Sequence, residues 1–349
     1  MENKGGQNIK KIIIFRVDYG KVIGYGHIMR CIALAQFWSK DGGDVLFLTR
    51  SDPSFIKNKL SKASVVHISD EESSSEELLL IRDFYLFKKG WVVLDGYLFN
   101  EEYQMQLRTL GVKYCYIDDN SHLSHYFCDI LLNQNIYANK KMYLNKVMPD
   151  TKLLIGPKYT LLRNEFIQYR YSKKKIEDNC NKILITFGGS DPNNITEKLL
   201  SLIKVSNIRE KIFKIIIGPD FSSFQSLSSI NNKVIIKKNV PNMAKEMIWA
   251  DVAISSAGTT ALELLFLGIP SIFVQTALNQ KNTIEYSIIN NLSYNSLLNS
   301  ELPTIVSSLS QLISEPKKIR ETLRYRGTSI IDGNGSCRVS NNITKMMES

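Results

Sequence analysis

The residue whose type and position most clearly suit a catalytic role is His27. It ends a glycine-rich loop, and residues 27–40 follow with the apolar spacing of a helix. That loop consists of Gly24, Tyr25, Gly26 and His27. Glycines at a helix start let backbone N–H groups approach an anion, and the helix dipole there disfavours a charged imidazole. The position predicts a neutral general base at His27. A structural histidine on an ordinary tight turn is the alternative interpretation.

The same loop does not match two common phosphate-binding motifs. A dinucleotide fingerprint needs a third glycine at position 29, which is Met29. A Walker loop needs a Gly-Lys-Ser/Thr ending, which this loop lacks. The glycine pair alone is therefore a weak signal.

Two further loops, in the second half of the chain, suit a phosphate. The first offers a backbone nest and a hydroxyl, and the second offers small side chains at another helix start. The first contains Gly188, Gly189, Ser190 and Asp191, and the second contains Ser255, Ser256, Ala257, Gly258, Thr259 and Thr260. Glu263 lies one turn into the following helix, where it can accept both hydroxyls of a ribose. Each loop alone can be an ordinary strand-to-helix turn, but together they predict a nucleotide site.

Short apolar segments alternate with helical ones, which positions these loops. The alternation predicts parallel sheets covered by helices on both faces, with ligands beyond the carboxyl ends of the strands. Asp18, Asp95, Asp118 and Asp119 all follow or end such strands. A polar stretch, 168–181, interrupts the pattern before a second series of strands and helices begins. The sequence thus predicts two α/β halves with a site in the cleft between them.

Composition limits the class of protein. The 349 residues suit two domains, with 44% hydrophobic and 22% charged residues. The net charge of +10 is spread along the chain, without an arginine-rich arm, and it suits a phosphate-bearing ligand or a membrane-proximal pathway. The charge alone does not choose between nucleic acid, an anionic membrane surface and an anionic small substrate. We expect no membrane span and no signal peptide, and therefore a cytoplasmic enzyme.

Cysteine and histidine spacing gives no sign of a metal or a disulfide framework. The five cysteines never form a C-x-x-C pair. His122 and His125 are three residues apart, but no third ligand is evident nearby. We expect neither a metal nor a cofactor.

Several motifs in order along the chain resemble one family. These are Arg16-Val17-Asp18, Gly24 to Arg30, Leu34-Ala35, Ile117-Asp118-Asp119, Cys128 to Asn133, Gly156 to Arg163, Phe187 to Asp191, Ser255 to Glu263 and Asn279-Gln280. Together they resemble the PseG-type UDP-sugar hydrolases of the pseudaminic acid pathway, relatives of the MurG-like glycosyltransferases. The tail, Ile331 to Gly335 with Arg338-Val339, resembles related members of sugar pathways. The resemblance covers nearly the whole chain.

The resemblance implies a GT-B fold with two Rossmann-like domains. It implies domains at 1–165 and 176–334, with a C-terminal helix at about 335–349 returning to the first domain. The implied reaction is inverting hydrolysis at C1 of UDP-2,4-diacetamido-2,4,6-trideoxy-β-L-altropyranose. It releases UDP and the free sugar.

The resemblance also assigns roles. His27 matches the catalytic histidine, Ser256 to Thr259 and Glu263 match nucleotide contacts, and Arg163 and Asn279 match substrate contacts, with Gln280 beside them. Asp18 or Asp119 could orient His27 or bind sugar hydroxyls, and the sequence does not choose between them. Alternatives are a glycosyltransferase of this fold and a catalytically silent nucleotide-sugar-binding or nucleic-acid-binding protein. The oligomeric state is not predicted.

Overall fold

Two parallel sheets, one in each half of the chain, form the framework of the protein. The structure is a computed structural model that describes residues 11–88, 90–170, 175–189, 191, 193–221, 233–297 and 302–348. Within these ranges the sheets have seven and six strands, all pairings between them are parallel, and helices connect most of them. The predicted α/β architecture is confirmed.

The first sheet has the strand order β3-β2-β1-β4-β5-β6-β7. Its strands are β1 (Ile12–Val17), β2 (Asp44–Thr49), β3 (Ser64–His67), β4 (Trp91–Asp95), β5 (Tyr114–Ile117), β6 (Ile130–Asn133) and β7 (Lys152–Ile155). The helices of this half are α1 (Gly26–Lys40), α2 (Ser54–Lys59), α3 (Ser74–Lys88), α4 (Glu101–Thr109) and α5 (Asn164–Ile167).

The second sheet has the order β10-β9-β8-β11-β12-β13. Its strands are β8 (Lys182–Thr186), β9 (Ile212–Ile217), β10 (Val234–Lys238), β11 (Val252–Ser256), β12 (Ser271–Val274) and β13 (Asn295–Leu297). The remaining helices are α6 (Ile195–Lys204), α7 (Met243–Trp249), α8 (Thr259–Leu267), α9 (Lys281–Ile289), α10 (Leu302–Ser314), α11 (Lys317–Ile330) and α12 (Gly335–Glu348).

Both sheets reverse their winding direction at an equivalent point. The first reverses between β1 and β4, and the second between β8 and β11. Every residue of β1 and β4 is buried, as expected for central strands covered on both faces. Loops that leave neighbouring strands at such a point diverge to opposite faces and open a crevice. The site loops follow these four strands.

The last helix returns to the first half. Val339 and Ile343 of α12 are fully buried in the same apolar cluster as Ile28 and Ile32 of α1. Gly335 begins α12 against the backbone at Thr160, where an added Cβ would lie 2.1 Å from the carbonyl oxygen. The domain boundaries at 165 and 176 stay predictions.

Some element boundaries differ from the predicted ones. The strand β11 extends through Ser256, so Ser255 and Ser256, the first two residues of the predicted loop, are buried strand residues. The segment from Lys317 contains two helices, α11 and α12, separated by a turn at Gly333 with φ of 76°. Among the described residues, no helix combines the length and apolar character needed to cross a membrane.

Truncating Ile343 tests the packing of α12. Ile343→Ala leaves a cavity at a residue with 0% exposure, so we expect the free energy of unfolding to fall by about 2–5 kcal/mol. Urea titration followed by circular dichroism measures it. Ile289→Ala, at 77% exposure, is the matched control, with an expected change within about 0.5 kcal/mol. Equal losses in both variants would contradict the buried packing.

Candidate active site

Loops from the two halves meet where the crevices of the two sheets face each other. A Cβ added to Gly26 would lie 3.7 Å from Thr259 Cγ2, at the start of α8. The Tyr25 hydroxyl donates to Asp220 Oδ2 at 2.9 Å, and Asn282 Nδ2 is 3.4 Å from Asn120 Oδ1. The start of α1 thus faces the start of α8 across the cleft.

The His27 ring is held by Asp95. Its Nδ1 lies 2.6 Å from Asp95 Oδ1, and the two side chains are 8% and 0% exposed. Asp95 ends β4 and pairs in register with Val17 of β1, which brings it beside the loop that leads to His27. The neighbouring strand therefore supplies the partner of the imidazole.

Arg30 clamps the same carboxylate from one turn further along α1. Its Nε and Nη2 donate to the two oxygens of Asp95 at 2.7 and 2.6 Å. Burial would raise the pKa of Asp95, but Arg30 and the His27 hydrogen bond outweigh it and hold that pKa well below its ordinary value. Asp95 is therefore an ionised carboxylate in a buried site.

Because Asp95 is ionised, the contact with it determines which ring nitrogen of His27 carries a hydrogen. A 2.6 Å contact between Nδ1 and a carboxylate oxygen requires a hydrogen between them, so Nδ1 donates to Asp95. The 3.0 Å approach of Arg30 Nη2 to the same nitrogen is then a contact between two donors. In the neutral ring, Nε2 is the nitrogen that can accept a proton.

A second carboxylate, Asp119, completes the cluster. Arg30 Nη1 donates to Asp119 Oδ1 at 2.6 Å. Burial alone would raise the pKa of Asp119, yet Arg30 lowers it below its ordinary value. Arg30 is fixed between Asp95 and Asp119, and one cation faces two anions.

The carboxylate that contacts His27 is Asp95, and not Asp18 or Asp119, the two candidates for orienting the ring. Asp18 Oδ1 instead accepts from the Arg50 backbone N–H at 2.7 Å and pairs with Arg16 at 2.7 Å, on the β2 side of the sheet. Asp119 and His27 are linked by Arg30, which contacts both side chains. Sequence reasoning placed Asp95 on the rim but did not single it out, because strand register decides which rim acid reaches the ring.

Tyr97 covers the imidazole and joins the halves. Its ring packs edge-on against His27 with centroids 5.2 Å apart, and 43% of the residue is exposed. The Tyr97 hydroxyl donates to Asp119 Oδ2 and accepts from Asn279 Nδ2, both at 3.1 Å. Asn279, a predicted substrate contact, therefore lies next to the histidine cluster, whereas Tyr97 was missed by the sequence analysis.

The other predicted loop residues pack around the cleft. Gly24 forms an antiparallel bridge with Gly20, and the Tyr25 ring lies on Gly189, where an added Cβ would come within 2.3 Å of Tyr25 Cδ2. Gln280 Oε1 accepts from the Thr276 N–H at 2.9 Å.

The nucleotide-binding candidates of the second half lie at the ends of β8 and β11. Ser256 and Ala257 are buried, and Gly258 precedes α8 without a capping side chain. A Cβ added to Gly188 would lie 3.9 Å from Ser256 Oγ. Ser190, also a candidate, lies outside the described residues.

Glu263, the predicted acceptor for ribose hydroxyls, forms an ion pair with Arg163. Its Oε1 accepts from Arg163 Nη2 at 2.8 Å, and the two residues are 9% and 6% exposed. Burial raises the pKa of Glu263 above its ordinary value, and Arg163 opposes that shift. Arg163, predicted to contact substrate, here contacts Glu263 and the ring of Phe166.

His122 and His125, three residues apart in the sequence, contact different partners. His122 Nδ1 lies 3.0 Å from Asp118 Oδ1, whereas the His125 ring packs against Phe127 at 4.7 Å. In the part of the chain that the structure describes, no three His, Cys, Asp or Glu side chains group as metal ligands would.

Solved structures identify the fold. MurG of Acinetobacter baumannii superposes with a TM-score of 0.59 at 14% identity, covering 96% of this chain and 99% of that one. The chain has the GT-B fold. At this identity the likeness concerns the fold alone.

Proteins with higher sequence identity to this GT-B chain were found by sequence comparison. UDP-2,4-diacetamido-2,4,6-trideoxy-β-L-altropyranose hydrolase of Campylobacter jejuni is 29% identical over 261 residues, 73% of this chain and 88% of that enzyme. An uncharacterized protein of Methanocaldococcus jannaschii is 32% identical over 263 residues, 71% of this chain. The match spans 52% of that archaeal protein, about half its length. Residues 182–318 match the glycosyltransferase family 28 C-terminal domain.

Replacing Asp95 tests the buried cluster through the pH dependence of stability. The pKa of Asp95 is lower in the folded than in the unfolded state, so its stabilisation is present at neutral pH and is lost as pH falls below about 4. Asp95→Asn leaves Arg30 with one carboxylate, and we expect a loss of about 3–5 kcal/mol at pH 7. Urea titrations at several pH values should show this loss shrinking as pH falls.

Asp83→Asn is the control, since the Asp83 side chain is 63% exposed. We expect it to unfold as the wild type does at every pH. A loss in Asp95→Asn that stays constant down to pH 3 would contradict the ionised, Arg30-bound carboxylate.

Proposed function

We propose that this chain hydrolyses a UDP-linked diacetamido-trideoxy sugar at C1 with inversion. UDP and the free sugar are the products, and the sugar feeds nonulosonic (pseudaminic) acid biosynthesis. The similarity to the Campylobacter jejuni hydrolase supports the substrate class.

One observation carries the proposal: the buried pair of His27 and Asp95 stands across the cleft from the start of α8. Gly26, next to His27, faces Thr259 of that helix. A helix start stabilises the diphosphate of a nucleotide through its N–H groups. A base and an anion subsite therefore face each other across the cleft between the two halves.

The chemistry follows from this arrangement. UDP leaves with its charge stabilised by N–H groups, so a general acid is dispensable. His27 Nε2 takes a proton from water as that water attacks C1, which carries oxocarbenium character, from the face opposite UDP. The product therefore has the inverted anomeric configuration.

The charge of the cluster suits this step. With His27 neutral, Arg30 balances only one of the carboxylates Asp95 and Asp119. The remaining negative charge stabilises the imidazolium that forms when His27 accepts the proton. Asp95 also keeps the hydrogen on Nδ1, which leaves Nε2 as the base.

We assign the remaining candidate site residues to the nucleotide or to the sugar. The second half would hold UDP through its glycine and serine loops, while Glu263 reads the ribose and Arg163 orients Glu263. The nucleotide set is Gly188, Gly189, Ser190, Ser256, Ala257, Gly258, Thr259 and Glu263, and the sugar set is Asp18, Gly24, Tyr25, Gly26, Asp119, Asn279 and Gln280. We propose that the reaction needs no metal or cofactor.

We also place the enzyme in the cytoplasm. All five cysteines are free thiols, and four of them are buried. A reducing compartment keeps cysteines in that state.

A glycosyltransferase is the second candidate, favoured by the match of residues 182–318 to a glycosyltransferase domain. In that reaction a sugar-acceptor hydroxyl replaces water. UDP release would then require an added acceptor.

His27→Ala tests the base. With UDP-2,4-diacetamido-2,4,6-trideoxy-β-L-altropyranose as substrate, we expect kcat to fall about 10²–10⁴-fold. UDP affinity, measured by calorimetry, should not change because the nucleotide subsite lies on the other half. His125→Ala is the matched control. Wild-type turnover in the His27→Ala variant would contradict the role of His27 as the general base.

A second assay separates hydrolase from transferase. The wild-type protein should release UDP from that substrate in excess chelator with no acceptor present. Proton NMR of the first product should show the anomer opposite to that of the substrate. UDP release only after an acceptor is added would select the glycosyltransferase.

A further inference from the structure

A second histidine–aspartate pair lies on the other side of Tyr97. Asp118 directly follows β5, as Asp95 ends the neighbouring β4, and Asp118 contacts His122 Nδ1 at 3.0 Å. The His122 ring packs edge-on against Tyr97 with centroids 5.3 Å apart, nearly the 5.2 Å of the His27 contact. Tyr97 therefore stands between two imidazoles that are each held by a rim aspartate.

The hydrogen on His122 is fixed by the surroundings of Asp118. Asp118 is 1% exposed and accepts from the Tyr143 hydroxyl at 2.6 Å, the Tyr126 hydroxyl at 3.0 Å and the Ser121 N–H at 2.7 Å. Since all its neighbours donate, His122 Nδ1 donates as well. The neutral ring then presents Nε2 as an acceptor.

The His122 ring is partly exposed and packs on Tyr97, which contacts the second half. His122 retains 29% exposure of its side chain. Asn120, two residues earlier, is 3.4 Å from Asn282 of the second half, and Tyr97 contacts Asn279. The contacts on both sides of His122 thus belong to the cleft, at the sugar end of the proposed site.

We propose that His122 is a specificity-determining residue that binds the sugar. Its Nε2 accepts a hydrogen bond from an acetamido N–H of the substrate, on the side of Tyr97 away from His27. The role rests on the proposed function and adds to it a sugar contact outside the UDP subsite. His122 takes no part in proton transfer at C1.

Binding measurements in a His27→Ala parent, in which turnover is expected to be about 10²–10⁴-fold slower, test this role. The probes are UDP and intact UDP-2,4-diacetamido-2,4,6-trideoxy-β-L-altropyranose, titrated by calorimetry. His122→Phe keeps the ring against Tyr97 but removes the acceptor. We expect the affinity for the UDP-sugar to fall about three- to tenfold, with UDP affinity unchanged.

Two further variants control for the fold. His122→Gln keeps an acceptor near the Nε2 position and should restore most of the UDP-sugar affinity. His125→Phe makes the same exchange on a ring that packs against Phe127, and should bind both probes as the parent does. Melting temperatures report on folding.

Three outcomes would overturn the role. They are unchanged UDP-sugar affinity in His122→Phe, an equal loss for UDP and UDP-sugar, or a His122→Gln variant that binds as weakly as His122→Phe. A parent that binds neither probe would refute the proposed function itself, and this role with it. That result is visible before any His122 variant is measured.

Discussion

The site depends on one buried carboxylate, Asp95, which is shared between an imidazole and a guanidinium. A buried charge is tolerated only when it is paired and hydrogen-bonded, and Arg30 supplies both conditions through two hydrogen bonds. The same guanidinium reaches Asp119, which accepts from the Tyr97 hydroxyl, and Tyr97 contacts Asn279 in the other half. The orientation of His27 and a contact between the halves therefore belong to one network.

The winding of the two sheets explains why this network lies where it does. In each sheet the strand order reverses once beside the first strand of that half, and the loops after the flanking strands open a crevice there. His27 and Asp95 come from the first crevice, and Gly188 and Gly258 from the second. The fold thus brings the His27–Asp95 pair and the start of α8 together from distant parts of the chain.

Sequence periodicity was sufficient for the architecture but not for the pairing of charges. Alternating apolar and helical segments predicted the sheets, and the loops of small residues predicted which strand ends matter. Which aspartate reaches His27 depends on β1 pairing in register with β4, and no local pattern reports that register. Glu263 and Arg163 are 100 residues apart, so their ion pair was equally invisible. The three-residue spacing of His27 and Arg30 did offer a signal, since such residues share a helix face.

The equal winding of the halves has an evolutionary consequence. Each crevice is built from its own sheet, and the apolar clusters around α1 and around α10 each lie within one half, whereas Phe166 of the first half shares a buried cluster with Leu184 of the second. Under the proposed function, a descendant of this chain could change the reaction at the first crevice and still bind the same nucleotide at the second. Under that function, this architecture allows the type of reaction to diverge while the nucleotide part of the ligand stays the same.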